Sequence, residues 1–433
     1  MREDTIIAMS TPAGNAGVAV IRISGEKAKE ILQSLIRENL DFEPRKMYLK
    51  TVYFKNLTDK CLVVFFKNPM SYTGEDVVEI QSHGGFLIAQ KIIEEGINLG
   101  ARLADKGEFS KRAFINGKIS IDQAEGIMDL INAESELQLK AGNNLFQGKL
   151  KNAIESIQSD LTDILAELEA KLDYPEYEYS DTENVVVKNK LSSIANTLNQ
   201  MISSGKEGLI IKNGISVAIV GAPNVGKSSL LNALTNSEKA IVTSIAGTTR
   251  DVIEAEYEYK GIIFRLFDTA GIHESDDIVE QIGIDRAKKT IENSSLIVRV
   301  SDKDNLCDIQ TDKPFIDIFN KSDITDNIDE TKYLPVSAKT KENLNKLKEL
   351  IFKKTVSSNI NADQLYLTNT RHIECVKNAL ACIKNALNVF DNTTMDIISS
   401  EIKSAWFYLG EVTGTTSDEK IIDRIFSKFC LGK

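Results

Sequence analysis

The chain has 433 residues, 42% of them hydrophobic, and a formal net charge of −11. That length leaves room for about three domains with a buried core in each, and no apolar run approaches the ~18 residues of a membrane-spanning helix. The acidity argues against a general nucleic-acid binder, although residues 1–118, with 17 Lys/Arg against 15 Asp/Glu, carry +2 and leave −13 to the remainder.

Met1-Arg2-Glu3-Asp4 leads straight into a strand-like segment without a secretory apolar core. The five cysteines, at 61, 307, 375, 382 and 430, show neither metal-ligand clustering nor a disulfide framework. The expectation is a reduced, cytoplasmic protein that makes no use of a membrane. Thr5–Ala8 and Gly17–Gly25 read as two strands around a Pro12/Gly14 turn, followed by a helix near 26–38 and strand-like runs at 47–54 and 61–67. Ser71–Ile80 then leads through His83-Gly84-Gly85 into a helix near 86–98. This alternation predicts an α+β domain over residues 1–118. Residues 119–213 turn helical, with Leu161, Ile164, Leu165 and Leu168 at helical spacing and a junction expected between Gly205 and Gly214. A nucleotide-binding segment is expected over 214–356, with a hairpin at Tyr259-Lys260-Gly261-Ile262. Helical periodicity resumes near 366 and fills 357–433, the last helix starting at Thr416 with Glu419 completing a capping box. Helical segments on both sides of the nucleotide segment suggest one bundle interrupted by an inserted domain.

The chemistry is concentrated in Gly221-Ala222-Pro223-Asn224-Val225-Gly226-Lys227-Ser228, a G-x-x-x-x-G-K-S phosphate loop between the β-branched run Ile215–Val220 and the helical Ser229–Leu234. Backbone N–H groups of Asn224, Val225, Gly226, Ser228 and Ser229 can face phosphate oxygens at a helix N-terminus. Lys227 reaches the β/γ-phosphates and the Ser228 hydroxyl sits on Mg²⁺. Gly247-Thr248-Thr249 supplies the Thr249 hydroxyl as a second Mg²⁺ ligand. Asp268-Thr269-Ala270-Gly271 ends an apolar strand, its Asp holding Mg²⁺ through water and its Gly N–H bonding the γ-phosphate. Asn320-Lys321-Ser322-Asp323 follows another strand, and Asp323 can accept both donors of the guanine edge, which adenine lacks. Ser337-Ala338-Lys339 closes over the base. Four motifs in order, each at a strand end, specify a guanine nucleotide. Ile272 stands where many GTPases carry a water-orienting Gln, and no arginine has a claim to complete the site. A monovalent cation and a switch carboxylate, Glu274 or Glu280, are the candidates for the missing charge and water orientation.

Asp4-Thr5-Ile6 through Ser24-Gly25, Tyr72-Thr73-Gly74-Glu75-Asp76 to His83-Gly84-Gly85, Gly107–Phe114 and the final Cys430-Leu431-Gly432-Lys433 carry a more specific likeness over nearly the full length. On these patches the chain resembles the MnmE (TrmE) family of tRNA wobble-uridine modification GTPases. The usual Ile of the family's C-x-G-K ending is Leu431 here, and the link at about 303–313 looks short.

The resemblance implies a multidomain α/β fold: an N-terminal α+β folate-binding domain that dimerises, a discontinuous helical domain, and an inserted Ras-like P-loop G domain. It also implies K⁺-dependent GTP hydrolysis, with Asn224 and backbone oxygens of Thr243, Ile245 and Thr248 as the K⁺ ligands. The loop Thr243, Ser244, Ile245, Ala246, Gly247, Thr248 and Thr249 would lie on the nucleotide, and Glu280 is preferred over Glu274 for orienting water. For 5-formyl- or methylene-tetrahydrofolate it points to Arg22, Glu79, Lys118 and Lys433. The implied partners are a second copy, an FAD-dependent MnmG-type subunit (a heterotetramer), and tRNA. Cys430 stays open between a reactive thiolate in one-carbon transfer and a packed helix residue. A rival class, a GTP-gated binding factor without covalent chemistry, would explain the G domain equally well.

Overall fold

The computed structural model describes residues 4–173, 181–235, 255–268, 289–356, 360, 364–391, 394–430 and 432–433. It divides into two compact units, one of Met1–Met128, Leu145–Lys190 and Ala381–Lys433, the other of Asp129–Asn144 and Leu191–Leu380. Among the described residues no helix is long and apolar enough to cross a membrane.

The first unit is built on a six-stranded sheet of β1 (Ile6–Met9), β2 (Val18–Ser24), β3 (Met47–Phe54), β4 (Leu57–Phe66), β5 (Val77–His83) and β6 (Arg102–Leu103), in the order β3-β4-β5-β2-β1-β6. All pairs are antiparallel except β1 with β6. Period-two alternation sends Ala19, Ile21 and Ile23 of β2 and Val78 and Ile80 of β5 into a core shared with α1 (Ala28–Ile36) and α2 (Phe86–Asn98). Each of these Ile and Val side chains contributes roughly 1.5–3 kcal/mol by burial. The same alternation puts Arg22 and Glu79 on the opposite face, and the register pairs them directly. Helices α3 (Glu108–Ile115), α4 (Ile121–Ile131) and α5 (Glu136–Phe146) follow the sheet in the chain.

α6 (Lys149–Asp173) belongs to the same unit and lies along α11 (Met395–Thr413). Leu161, Ile164 and Leu168 of α6, and Ile398, Ile402, Ala405 and Leu409 of α11, are all fully buried. Gln158 Nε2 donates to the Trp406 carbonyl at 3.0 Å, and Lys403 pairs with Glu169 at 2.8 Å. Helices from before and after the nucleotide-binding segment thus share one core, which makes the helical domain discontinuous in sequence.

The second unit holds β7 (Ile215–Val220), α8 (Lys227–Thr235), β8 (Ala255–Tyr259), β9 (Ile262–Asp268), β10 (Leu296–Ser301), β11 (Phe315–Phe319), β12 (Leu334–Pro335) and α9 (Leu344–Thr355). Its sheet runs β12-β11-β10-β7-β9-β8, parallel except for the β8–β9 hairpin. That hairpin turns on Lys260 (φ 52°) and Gly261 (φ 82°), the two left-handed residues a tight two-residue loop requires. Counted from β7 the order is 6-5-4-1-3-2, the Ras-like arrangement, with the phosphate loop at the carboxyl end of its central strand.

One local expectation is corrected and another is narrowed. α12 (Glu419–Phe426) starts after Asp418, whose carboxylate accepts the Lys420 N–H at 2.8 Å. Thr416 is no cap because its hydroxyl donates to the Phe407 carbonyl at 2.8 Å, closing the end of α11. The junction expected between Gly205 and Gly214 falls at the far end of that stretch: α7 (Asp181–Asn213) runs unbroken to Asn213. Gly205 and Gly208 are packing positions, where a Cβ would meet Ile373 at 2.8 Å and the Leu367 carbonyl at 2.3 Å. Only Gly214, at φ 70°, ends the helix. Smaller shifts are that β4 begins at Leu57 and that α10 (Thr370–Val389) begins past 366.

Candidate nucleotide and folate sites

The phosphate loop leaves β7 at Gly221 and enters α8 at Lys227. Lys227 is 8% exposed and its ammonium donates to the carbonyls of Gly221 (2.9 Å) and Ala222 (3.0 Å), which keeps the charge curled inside the loop. The Ser228 hydroxyl, on the first turn of α8, donates to Asp268 Oδ2 at 3.1 Å. Asp268 Oδ1 is buried without a hydrogen-bond partner among the described residues. A hydroxyl and a carboxylate converging in this way are the hard oxygen donors Mg²⁺ prefers, so Ser228 and Asp268 fit that ion.

The base-recognition motif is tied to the phosphate loop by two side chains. Asn320 Nδ2 donates to the Val225 carbonyl at 2.8 Å, while its Oδ1 accepts the Ala338 N–H at 3.2 Å. Lys321 Nζ donates to the Asn224 carbonyl at 2.8 Å and to Asp302 Oδ2 at 2.7 Å. Gly226 makes the approach possible: it sits at φ 92°, and a Cβ there would lie 2.4 Å from Asn320 Nδ2. Asp323 is exposed, with one oxygen accepting the Ser337 hydroxyl at 2.7 Å. That bond orients the carboxylate and leaves its other oxygen open to a base. Ser229 and Lys339 are exposed and Val225 is buried. Thr243, Ser244, Ile245, Ala246, Gly247, Thr248, Thr249, Thr269, Ala270, Gly271 and Glu280 lie outside the described residues.

A second polar cluster occupies the sheet face of the first unit. Arg22 Nε and Nη2 both donate to Glu79 Oε1, at 3.0 and 2.8 Å. The guanidinium lies 5.2 Å from the Tyr72 ring centroid and 5.7 Å from that of Phe109, and the Tyr72 hydroxyl bonds Ser110 Oγ at 2.7 Å. The last residues of the chain arrive at the same place. The Gly432 carbonyl accepts from Ser10 Oγ at 3.0 Å and from Arg22 Nη1 at 3.4 Å, and the Cys430 carbonyl accepts the Gly107 N–H at 3.4 Å. Burial and the neighbouring Arg22 charge hold the Lys433 ammonium below the ordinary lysine range. Lys118 is exposed, its chain against Gly74, two residues from Tyr72. Cys430 is exposed, whereas burial pushes the Cys61 thiol up to about 12.

The structure therefore gathers Arg22, Glu79 and the 432–433 segment, with the Lys118 chain lying against Gly74. A carboxylate and several cations around flat aromatic faces fit a pterin amino-pyrimidine edge with an anionic tail. Ser10, Tyr72 and Phe109 received no site role from sequence. Nothing in their spacing relates them to Arg22; only the strand register and the placement of α3 do.

The strand order, the glycine-turned phosphate loop and the Asn-Lys-Ser-Asp clamp together define a P-loop GTP hydrolase. Residues 5–118 match the family described as the GTP-binding protein TrmE N-terminus, and residues 121–430 match the MnmE helical domain. The chain is 39% identical to the tRNA modification GTPase MnmE of Natranaerobius thermophilus and 38% identical to that of Acetivibrio thermocellus, over the whole of both chains in each case. It is 36% identical to the namesake from Clostridioides difficile, covering 100% of this chain and 99% of the relative. The chain belongs to the MnmE family.

Proposed function

We propose that this GTPase works with an FAD-containing MnmG-type subunit, as a heterotetramer built on its own homodimer, to modify C5 of the wobble uridine in tRNA in the cytoplasm. The full-length relatives named as tRNA modification GTPases support the substrate class. When bound at Arg22, Glu79, Lys118 and Lys433, 5-formyl- or methylene-tetrahydrofolate supplies the one-carbon unit of an aminomethyl or carboxymethylaminomethyl group. The observation that carries this reading is the Arg22–Glu79 pair at 2.8 Å with the Gly432 carbonyl on the same guanidinium. A GTP-gated factor without covalent chemistry has no use for that arrangement.

GTP turnover in this proposal is potassium-dependent. Asn224, Thr243, Ile245 and Thr248 hold K⁺, which brings the positive charge that no arginine provides. Ser228 and Thr249 hold Mg²⁺, Glu280 orients the water, and Cys430 stands beside the folate site as a possible nucleophile in one-carbon transfer. Hydrolysis opens and closes the paired nucleotide domains rather than performing the modification. The division into 1–118, 119–213, 214–356 and 357–433 belongs to the same proposal. The test is mass analysis of tRNA nucleosides after incubation with GTP, the folate and the flavin subunit, with K⁺ or Na⁺ as the only alkali ion. A modified wobble uridine that needs the folate, and a GTPase rate that falls sharply in Na⁺, are the expected results. Folate-independent product or equal rates in the two salts would overturn the respective halves.

A further inference from the structure

We infer that Asp302 is a positioning residue for the nucleotide: it holds Lys321 so that the phosphate loop's N–H groups stay aimed at the phosphates. A trans peptide is planar, with its C=O and N–H pointing in opposite directions. The carbonyl of Asn224 is taken by Lys321 Nζ at 2.8 Å, so the Val225 N–H in that plane faces away from Lys321. The next carbonyl, of Val225, is taken by Asn320 Nδ2 at 2.8 Å, which fixes the Gly226 N–H in the same manner. Two successive residues of the base-recognition motif thus orient two successive peptides of the cradle.

The two anchors differ in what holds them. Asn320 is 2% exposed and bonded through both ends of its amide. Lys321 is a long, partly exposed side chain at φ 62°, and a flexible ammonium on a single neutral carbonyl is weakly held until a second partner fixes it. Asp302, at the carboxyl end of β10 with its side chain 4% exposed, does so at 2.7 Å. Its carboxylate divides the work between its oxygens. Oδ1 accepts the N–H groups of Asp304 (3.1 Å) and Asn305 (2.9 Å), which locks the turn after β10, and Oδ2 is turned to Lys321. Burial pushes the Asp302 carboxyl pKa up, but Lys321 and these N–H groups outweigh it, and the group stays ionised.

That division makes Asp302→Asn informative, because an amide oxygen can keep the two turn bonds while the amide nitrogen faces the ammonium and repels it. Losing a charge-assisted bond of this kind should cost about tenfold in affinity. GDP and GTP should weaken by the same factor, and mant-GDP should dissociate faster. The Val225 amide resonance of the GDP complex, read in ¹⁵N-valine-labelled protein, should move to its position in Lys321→Ala. In the Lys321→Ala background, with no ammonium to hold, the same exchange should change affinity less than about twofold. Wild-type affinity in Asp302→Asn, an unmoved Val225 resonance, or a full tenfold loss in the Lys321→Ala background would each overturn the inference. The last result also identifies any general folding defect, since that would appear whether or not the lysine is present.

Discussion

Gly432 is where a single methyl group should separate folate binding from the rest of the molecule. It sits at φ 87°, and a Cβ there would lie 2.2 Å from the Met9 carbonyl oxygen and 2.8 Å from the Met9 carbonyl carbon and Ser10 Cα. All three are backbone atoms at the end of a paired strand, so none can step aside. The left-handed conformation alone costs an L-residue roughly 1–2 kcal/mol, before any overlap. Against this, the segment is held by the Ser10–Gly432 bond at 3.0 Å and two longer ones at 3.4 Å, together about 2–3 kcal/mol. In Gly432→Ala the strain exceeds the hold, and residues 432–433 should leave their seat. On the proposed folate site, what is lost is the Lys433 contact, a charge-assisted interaction worth about 1.5–3 kcal/mol, or roughly ten- to a hundredfold in affinity. Calorimetric titration with 5-formyl-tetrahydrofolate should show that loss, while GTP turnover, which belongs to the other unit, stays at its wild-type rate. Unchanged folate affinity would refute the reasoning. Equal losses in folate binding and GTP turnover would do so too, because they would mean that the methyl group had damaged the whole fold.

Asp323→Asn should lower GTP affinity by at least about a hundredfold, since the amide presents a donor to the guanine N1–H and amine. The same variant should gain affinity for XTP, whose C2 carbonyl can accept from that amide; competition binding with both nucleotides decides it. The pH dependence of the first unit should be set partly by Asp4 and Glu108. Bonding to Arg102, with Arg112, holds the Asp4 carboxyl below its ordinary 3.8 despite some burial. For Glu108 the larger burial penalty is still outweighed by Arg102, the Asp105 N–H and Arg112, leaving it below 4.5. Groups lowered in the folded state add stability that is complete above their unfolded values and is lost as pH falls through the folded ones. The melting-temperature gap between wild type and Arg102→Met should therefore be open at neutral pH and close in acid, as pH falls past the ordinary carboxylate values and through the lowered folded ones; a gap that persists in strong acid would contradict this assignment.

The nucleotide site was legible because its chemistry is local. A strand end, a glycine-permitted turn and a helix start lie within the stretch 215–234, so the motif and its flanks placed the loop between Ile215–Val220 and a helix read from Ser229, which the structure starts two residues earlier at Lys227. The Lys260-Gly261 hairpin was readable for the same reason. Asp302 was not, because its value lies in reaching Lys321, just past the end of β11, and, through it, the loop after β7. The folate-site candidates show the same limit. Arg22 and Glu79 came from the family likeness, and it is the β2–β5 register that makes them direct neighbours. Ser10 matters through Gly432, a partner 422 positions away that no periodicity can announce. The misplaced start of α12 has a more ordinary cause. Thr416 looks like a cap by type and spacing, but its hydroxyl was already claimed by the preceding helix.

The pairing of α6 with α11 also bears on how the molecule is made. Gln158 and Trp406 are joined across 248 positions, so on the ribosome the first of these helices must wait for the second while the entire nucleotide domain is synthesised between them. At a synthesis rate of about 5–20 residues per second, that delay is tens of seconds. Through it the Leu161, Ile164 and Leu168 stripe has no mate from α11, and the contiguous nucleotide domain can finish first. A nascent chain stalled before Met395 should therefore be a chaperone client through its α6 stripe even when its nucleotide domain already binds GDP.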